Sequence, residues 1–157
     1  MISCEPLIKR NIIEKNYKHG IYIWSYSSFG GENIRCDGEI YNNLIQSNLE
    51  YGIRCKGKNC QPRIFNQNKI IFNKMAGIKV DHNAYPVIIQ NEITRNLQQG
   101  ILIQEKAQAH IENNEISDNM KSNIAYGGEC SVNTTIIKNR ICRGRCEGIF
   151  LIDGGKS

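Results

Sequence analysis

The chain has 157 residues, a formal net charge of +5, three prolines, one tryptophan and seven cysteines. This length suits one domain with its own core. No apolar segment reaches membrane-spanning length and the N-terminal residues lack the apolar run of a signal peptide, so we expect no membrane partner. An odd number of cysteines argues against a complete disulfide framework, and we therefore expect a cytoplasmic, intracellular protein.

A repeat marked by asparagine runs along the chain. The first asparagine of each unit is found at Asn11, Asn43, Asn68, Asn91, Asn114 and Asn139, in steps of 32, 25, 23, 23 and 25 residues. An isoleucine follows two residues later, and a second asparagine follows five residues later except in the last unit, which has Gly144. A Gly-Ile pair begins the next segment, with Asn123 replacing the glycine in the fifth unit. These columns predict a repeated structural unit.

Each unit contains short β-branched runs separated by Gly and Asn, and no amphipathic helix, which predicts strands. The unit length without a Leu-rich consensus favours a parallel β-helix over a leucine-rich repeat. We therefore predict an all-β fold, with one right-handed parallel β-helix domain over residues 1–157 and about six coils.

In such a fold, equivalent residues of successive coils lie about 4.8 Å apart. The isoleucine columns would then form the core, and the asparagine columns would bond to the bends and to one another. Asn and Gly both tolerate left-handed backbone angles, which suits both columns to positions near bends.

The cysteines are explained by the same alignment. One column, before the first asparagines, is occupied by Cys4, Cys36, Cys60, Ala84, Ala107 and Val132. These residue types predict a small inward-facing position. Cys142 and Cys146 fall on the outward side and in a turn, and no four ligands converge. We predict no metal site and no cofactor.

A loop is inserted in the first full unit over residues 24–38. It presents Trp24, Tyr26 and Phe29 among Ser and Gly, as recognition surfaces do. An alternative interpretation is that the loop folds back and covers one end of the β-helix.

The strand after each glycine has two outward columns of mixed basic and aromatic character. They contain Tyr22, Arg54, Lys79, Leu102, Ala125 and Phe150 in the first, and Trp24, Lys56, Asp81, Gln104, Gly127 and Ile152 in the second. The two columns predict a docking site for an acidic peptide, a glycan or another protein. Stacking also places Asp81 beside Lys56, and His82 beside Glu105, which we interpret as surface ion pairs rather than catalytic dyads.

Three other classes of function are not favoured. Because the column neighbours of Asp81 are Lys56 and Gln104, the acidic cluster of polysaccharide-degrading enzymes is not predicted. The basic cluster from Arg54 to Arg63 lacks the aromatic platform of a nucleic-acid module. The terminal "GGKS" lacks the leading glycine of a phosphate-binding loop.

The first and last units begin and end within a coil. Because solenoids need capped ends, we expect the open coil ends to continue into further coils or to pack on neighbouring chains.

The segments "GIKVDHNAYPVIIQNEITRN" and "NRICRGRCEGIFLIDGG" resemble the right-handed parallel β-helix repeat of pectin-degrading enzymes and of a class of intracellular proteins. They are most similar to the β-helix of F-box proteins, the adaptors of ubiquitin ligases. In that family the β-helix recognises the substrate without catalysis, so the resemblance implies a non-enzymatic protein-interaction or scaffold module. Two alternatives stay open: a carbohydrate-binding or polysaccharide-degrading β-helix, and a structural component of a cytoskeletal or ciliary assembly.

Overall fold

The computed structural model describes residues 3–26, 34–128 and 133–153, and the regular structure in these ranges consists of strands. Numbered in chain order, the strands are β1 (Ser3–Cys4), β2 (Leu7–Lys9), β3 (Ile12–Glu14), β4 (Ile21–Trp24), β5 (Arg35–Cys36), β6 (Glu39–Tyr41), β7 (Leu44–Gln46), β8 (Ile53–Lys56), β9 (Arg63–Phe65), β10 (Lys69–Ile71), β11 (Ile78–Asp81), β12 (Val87–Ile89), β13 (Glu92–Thr94), β14 (Ile101–Ile103), β15 (His110–Glu112), β16 (Glu115–Ser117), β17 (Ile124–Gly128), β18 (Thr135–Ile137), β19 (Arg140–Cys142) and β20 (Ile149–Asp153). A helix long and apolar enough to cross a membrane is not found in these ranges.

Three parallel sheets form the walls of a solenoid. Over the described residues, sheet 1 has the order β18-β15-β12-β9-β6-β2, sheet 2 the order β19-β16-β13-β10-β7-β3, and sheet 3 the order β20-β17-β14-β11-β8-β4. A short fourth sheet joins β1 to β5. Each sheet takes one strand from each coil, and the columns stay in register: Ile70 lies opposite Ile45 and Ile93. The predicted all-β parallel β-helix is confirmed.

Isoleucine ladders fill the interior. Two of these ladders are the predicted columns: the isoleucines two residues after the first asparagine, and the isoleucines directly after the glycine. A third ladder, from sheet 1, was not predicted and contains Ile8, Ile40, Ile64, Ile88, Ile111 and Ile136. Its members in the middle coils are fully buried. Burial of this kind stabilises the fold by roughly 25 cal/mol per Å² of apolar surface.

The asparagine ladder satisfies the bends between sheets, as Asn91 shows. Its Nδ2 donates to the carbonyl oxygens of Ile64 and Ile89 at 2.8 and 3.1 Å, and to Oδ1 of Asn114 at 3.1 Å. Its backbone amide also donates to Asn114 Oδ1, at 2.9 Å. Each side chain of the ladder thus adds hydrogen bonds to backbone groups of two coils at the bend, where buried polar groups need partners. The structural role predicted for the ladder agrees with these contacts.

The left-handed backbone angles lie one residue before the asparagines, so the ladder does not make use of the tolerance of asparagine for such angles. Gln90 and Arg95 have φ of 57° and 56° and precede Asn91 and Asn96. Both residues are exposed, whereas the asparagines that follow them are buried. The exposed residue makes the bend, and the asparagine keeps a conformation in which its amide reaches both coils.

The glycines of the repeat are needed for a reason other than their tolerance of left-handed backbone angles. A positive φ is found among the described glycines only at Gly57 and Gly128, outside this column. A Cβ at Gly77 would lie 2.8 Å from Asn96 Nδ2 and 2.8 Å from Gly100 O. Close approach of neighbouring coils, rather than backbone conformation, therefore requires glycine here.

Asn123 and Gly144 compensate for one another. Asn119 Nδ2 donates to Asn123 Oδ1 at 2.8 Å, and Asn123 Nδ2 donates to the Cys142 carbonyl oxygen at 2.9 Å. A Cβ at Gly144 would lie 3.0 Å from Asn123 Nδ2. The Asn123 amide thus occupies the space, and makes the bonds, of the asparagine that the last coil lacks.

The predicted small inward column is confirmed in the middle coils. Cys60, Ala84 and Ala107 are buried there, whereas Cys36 is half-buried and Cys4 is exposed in the first coil. Val132 lies outside the described residues. The described cysteines, which include half-buried Cys142 and exposed Cys146, are all free thiols.

Asn91→Ala should lower the free energy of unfolding by about 3 kcal/mol, because it removes the buried hydrogen bonds that the side chain makes to Ile64 O, to Asn114 Oδ1 and from Asn68 Nδ2. Asn11→Ala, at the exposed end of the same ladder, should cost less than half as much. Urea denaturation followed by circular dichroism measures both changes. Equal losses for the two variants would contradict the role assigned to the ladder.

Candidate functional site

The outer surface of sheet 3 carries most of the predicted binding residues. We define the aromatic-basic face as Tyr22, Trp24, Tyr26, Arg54, Lys56 and Lys79. Its three aromatic side chains are exposed, Trp24 by 51% and Tyr26 by 63%. Phe29 and the middle of the inserted loop lie outside the described residues, so the loop's predicted covering of one end stays a prediction.

The three aromatic rings form one row. The Tyr22 and Trp24 rings are nearly parallel, at 9°, with centroids 6.2 Å apart. Trp24 and Tyr26 meet edge to face at 5.6 Å. Strand geometry explains Tyr22 and Trp24, because every second side chain of β4 points to the same side of the sheet, and Tyr26 extends the row just beyond the end of the strand.

The end of β4 is held rigidly against the next coil. The Ser25 amide donates to the Lys56 carbonyl oxygen at 2.9 Å, and Ser25 Oγ accepts a hydrogen bond from the Asn59 amide at 3.1 Å. A Cβ at Gly57 would lie 2.2 Å from Ser25 O, and Gly57 also has a φ of 103°. Glycine at this position lets the two coils approach and holds the aromatic row in place.

Two cations from the second coil lie over the aromatic row. The guanidinium carbon of Arg54 is 5.5 Å from the Tyr22 ring centroid, and Lys56 Nζ is 5.9 Å from that of Trp24. Both distances fall within the range of cation–π attraction. The predicted mixture of basic and aromatic residues is therefore brought together in space.

A neighbouring group was missed in the sequence. His19 packs against the rings of Tyr22 and Tyr51 at 5.2 and 5.3 Å, and its Nδ1 lies 3.1 Å from Glu50 Oε2. Burial lowers the pKa of His19, although the Glu50 carboxylate opposes this shift, and burial raises the pKa of Tyr51. His19, Glu50 and Tyr51 stand one or two residues before the glycine of their repeat unit. The stacking of these positions near Arg54 could have been inferred from the sequence.

The outward column predicted an exposed Lys79, but the structure buries this residue. It is 5% exposed, lies between Arg54 and Leu102 in the sheet, and its Nζ contacts Gln104 Oε1. Burial lowers the pKa of Lys79, and attraction to the Asp81 carboxylate opposes the shift. Long neighbouring side chains cover this lysine, so it contributes little to a docking surface.

Asp81, His82 and Glu105 meet at the edge of sheet 3, and we call them the Asp81 cluster. Asp81 is 1% exposed, so its interpretation as a surface ion pair is wrong. Arg54 Nε and Nη2 donate to Asp81 Oδ2 at 3.1 and 2.8 Å. Lys56 is its backbone neighbour as predicted, but the ion pair is diagonal and made with Arg54.

The two carboxylates of the Asp81 cluster come together through His82. His82 Nδ1 lies 3.3 Å from Asp81 Oδ1 and contacts Glu105 Oε2, and one ligand atom from each of the three residues lies within 4.8 Å of the others. The stacking of His82 beside Glu105 is confirmed. This pair of carboxylates was not predicted, because the contact crosses between two columns, but it does not amount to the cluster of several acidic residues found in polysaccharide-degrading enzymes.

A protein-family model described as "right handed beta helix region" matches residues 3–157 of the chain. Searches of curated proteins and of solved structures found no match.

Arg54→Ala should lower the free energy of unfolding by about 3–5 kcal/mol, because it leaves the Asp81 carboxylate buried without its partner. Arg143→Ala is the matched control: it removes an arginine bonded to Asp118 through two 2.8 Å contacts, but this pair is exposed. Arg143→Ala should lower the free energy of unfolding much less, since exposed ion pairs are screened by water. Thermal unfolding of both variants measures the contrast, and similar losses would rule out a buried role for Arg54.

Proposed function

The chain belongs to the right-handed β-helix family, and on this basis we propose that it is a non-enzymatic binding module. Its aromatic-basic face receives an acidic segment of a protein partner. This is the role that the resemblance to F-box β-helices implies for the fold. The observation that carries the proposal is the row of exposed rings at Tyr22, Trp24 and Tyr26, with Lys56 over its centre.

The composition of the row favours protein recognition. Tryptophan and tyrosine are enriched among the residues that dominate binding energy at protein interfaces, because each contributes a large rigid surface at low entropic cost. Single exposed apolar residues are ordinary on protein surfaces, but three rings that contact one another in sequence along a row form a continuous patch. The patch is rimmed by polar groups such as Glu50 and Lys56.

The charge on the face favours an acidic partner. Arg54 is neutralised by Asp81, whereas Lys56 makes no ion pair among the described residues and stays half-buried against Trp24. The chain as a whole carries +5, which attracts an acidic segment over distance. A carboxylate docking beside Lys56 could therefore place its neighbouring apolar side chain on the rings.

The fluorescence of Trp24 tests the proposal directly, because it is the sole tryptophan of the chain. A short peptide of alternating glutamate and leucine should change this fluorescence saturably, and added salt should weaken the binding. Lys56→Gln and Tyr22→Ala should each weaken it by about tenfold.

Lys138→Gln and Tyr85→Ala are the matched controls. Lys138 is exposed after β18, and Tyr85 is exposed between sheets 3 and 1, so both lie outside the face. Neither should alter the affinity. An unchanged Trp24 signal with the peptide, or an equal effect of Lys138→Gln and Lys56→Gln, would refute the proposal.

A second candidate function is favoured by the Asp81 cluster. Retaining glycoside hydrolases use two carboxylates about 5–5.5 Å apart. One carboxylate oxygen of Asp81 and one of Glu105 lie within 4.8 Å of each other, which is close to this separation. However, Asp81 is buried and bonded to Arg54, so its carboxylate is poorly placed to reach a sugar.

We expect no cleavage of acidic polysaccharides such as polygalacturonate, measured by the release of reducing ends and of unsaturated products. Turnover that is lost in Glu105→Gln, with the fold retained by circular dichroism, would establish the enzyme instead. Turnover that persists in this variant would indicate a contaminant.

A further inference from the structure

The geometry points to a divalent metal site formed by Asp81, His82 and Glu105, with Zn²⁺ as the ion that its ligands fit best. Asp81 Oδ1, His82 Nδ1 and Glu105 Oε2 would bind the ion. This site goes beyond the proposed peptide-binding role: its three ligands lie at the edge of sheet 3 in the third and fourth coils, and it shares only Arg54 with the aromatic-basic face.

The unsatisfied oxygen of Asp81 is the first reason. Asp81 is 1% exposed, and its Oδ1 accepts no hydrogen bond from any described residue. A buried carboxylate oxygen that accepts no hydrogen bond is costly. Oδ1 faces His82 Nδ1 at 3.3 Å and is therefore aimed into the cluster.

The spacing of the ligand atoms is the second reason. Zn²⁺ binds nitrogen and oxygen at about 2.0–2.2 Å, so the ligand atoms of a tetrahedral site lie about 3.4 Å apart. The separation of 3.3 Å between Asp81 Oδ1 and His82 Nδ1 meets this value. Glu105 Oε2 contacts His82 more closely and needs only a side-chain rotation to open the site, since Glu105 is exposed.

The backbone presents the ligands from two coils. His82 and Glu105 occupy the same position in successive coils, with φ of 54° and 55°. The Asn83 amide donates to the Glu105 carbonyl oxygen at 3.1 Å, which holds the two turns together. Two of the three ligands are thus placed by the repeat itself, and the third comes from the adjoining end of β11.

Arg54 acts as a positioning residue. Its bonds to Asp81 Oδ2 leave Oδ1 as the free oxygen and fix its direction. Outer contacts of this kind orient carboxylate ligands in metal sites. Glu105 also lines an open cavity of about 390 Å³ with Gln104 and Gly127, so this ligand of the site borders solvent.

One imidazole and two carboxylates suit Zn²⁺ better than Ca²⁺ or Mg²⁺, which prefer oxygen ligands alone. Titration of the full chain with Zn²⁺ by calorimetry should therefore show one site. His82→Ala and Glu105→Gln should each weaken it by at least about tenfold. Glu105→Gln is the more informative variant, because it keeps the size of an exposed side chain and does not disturb the fold.

Glu112→Gln is the matched control. Glu112 Oε2 lies 2.9 Å from His110 Nε2, and this pair has no third ligand among the described residues. The variant should bind Zn²⁺ as the wild type does. An equal loss in Glu112→Gln and Glu105→Gln would contradict the assignment.

Spectroscopy distinguishes metal binding by the free cysteines from metal binding at the proposed site. Co²⁺ bound to thiolates gives a sulfur-to-metal charge-transfer band, whereas Co²⁺ bound to imidazole and carboxylates does not. We expect Co²⁺ to show no such band and to be displaced by Zn²⁺. A charge-transfer band that persists in Glu105→Gln, or Zn²⁺ binding unchanged in both ligand variants, would overturn the proposal. An absence of stoichiometric Zn²⁺ binding would also overturn it.

Discussion

Registered stacking of coils is the constraint on which the rest of this structure depends. An asparagine amide bonds at once to the backbone of its own coil and the previous one, and to the next asparagine in its column. Because the same bonds recur at successive bends, a slip of one coil by one residue would break the ladder and turn isoleucines outward. The apolar burial supplies most of the stability, and the asparagines determine the register in which it is achieved.

Stacking also creates the surface features, because it brings together side chains that are far apart in sequence. Residues about 25 positions apart become neighbours across a sheet, so one arginine of the second coil can serve two groups. Arg54 lies against the rings of Tyr22 and Tyr51 and also holds the Asp81 carboxylate. The aromatic-basic face and the Asp81 cluster are therefore joined through a single guanidinium, which is planar and presents several donors at once.

The glycines and left-handed residues show how a bend divides its tasks. An exposed residue such as Gln90 adopts the left-handed angle, and the next residue, Asn91, supplies the amide. Glycine stands where a neighbouring coil leaves no room for a Cβ. Asn123 and Gly144 follow the same rule. The last bend needs one side-chain amide in the space beside Gly144, and Asn123 supplies it from another position in the sequence.

The sequence by itself determined the repeat, the strands, two of the three inward isoleucine ladders and the neighbours within each column, because a parallel stack converts sequence spacing directly into contacts. It did not predict the burial of Lys79 and Asp81, or the convergence of Asp81 with Glu105. Those features depend on diagonal contacts between columns, on the covering of one long side chain by another, and on the groups around His19. Only the tertiary structure decided them, because side-chain reach and packing are not periodic even where the backbone is.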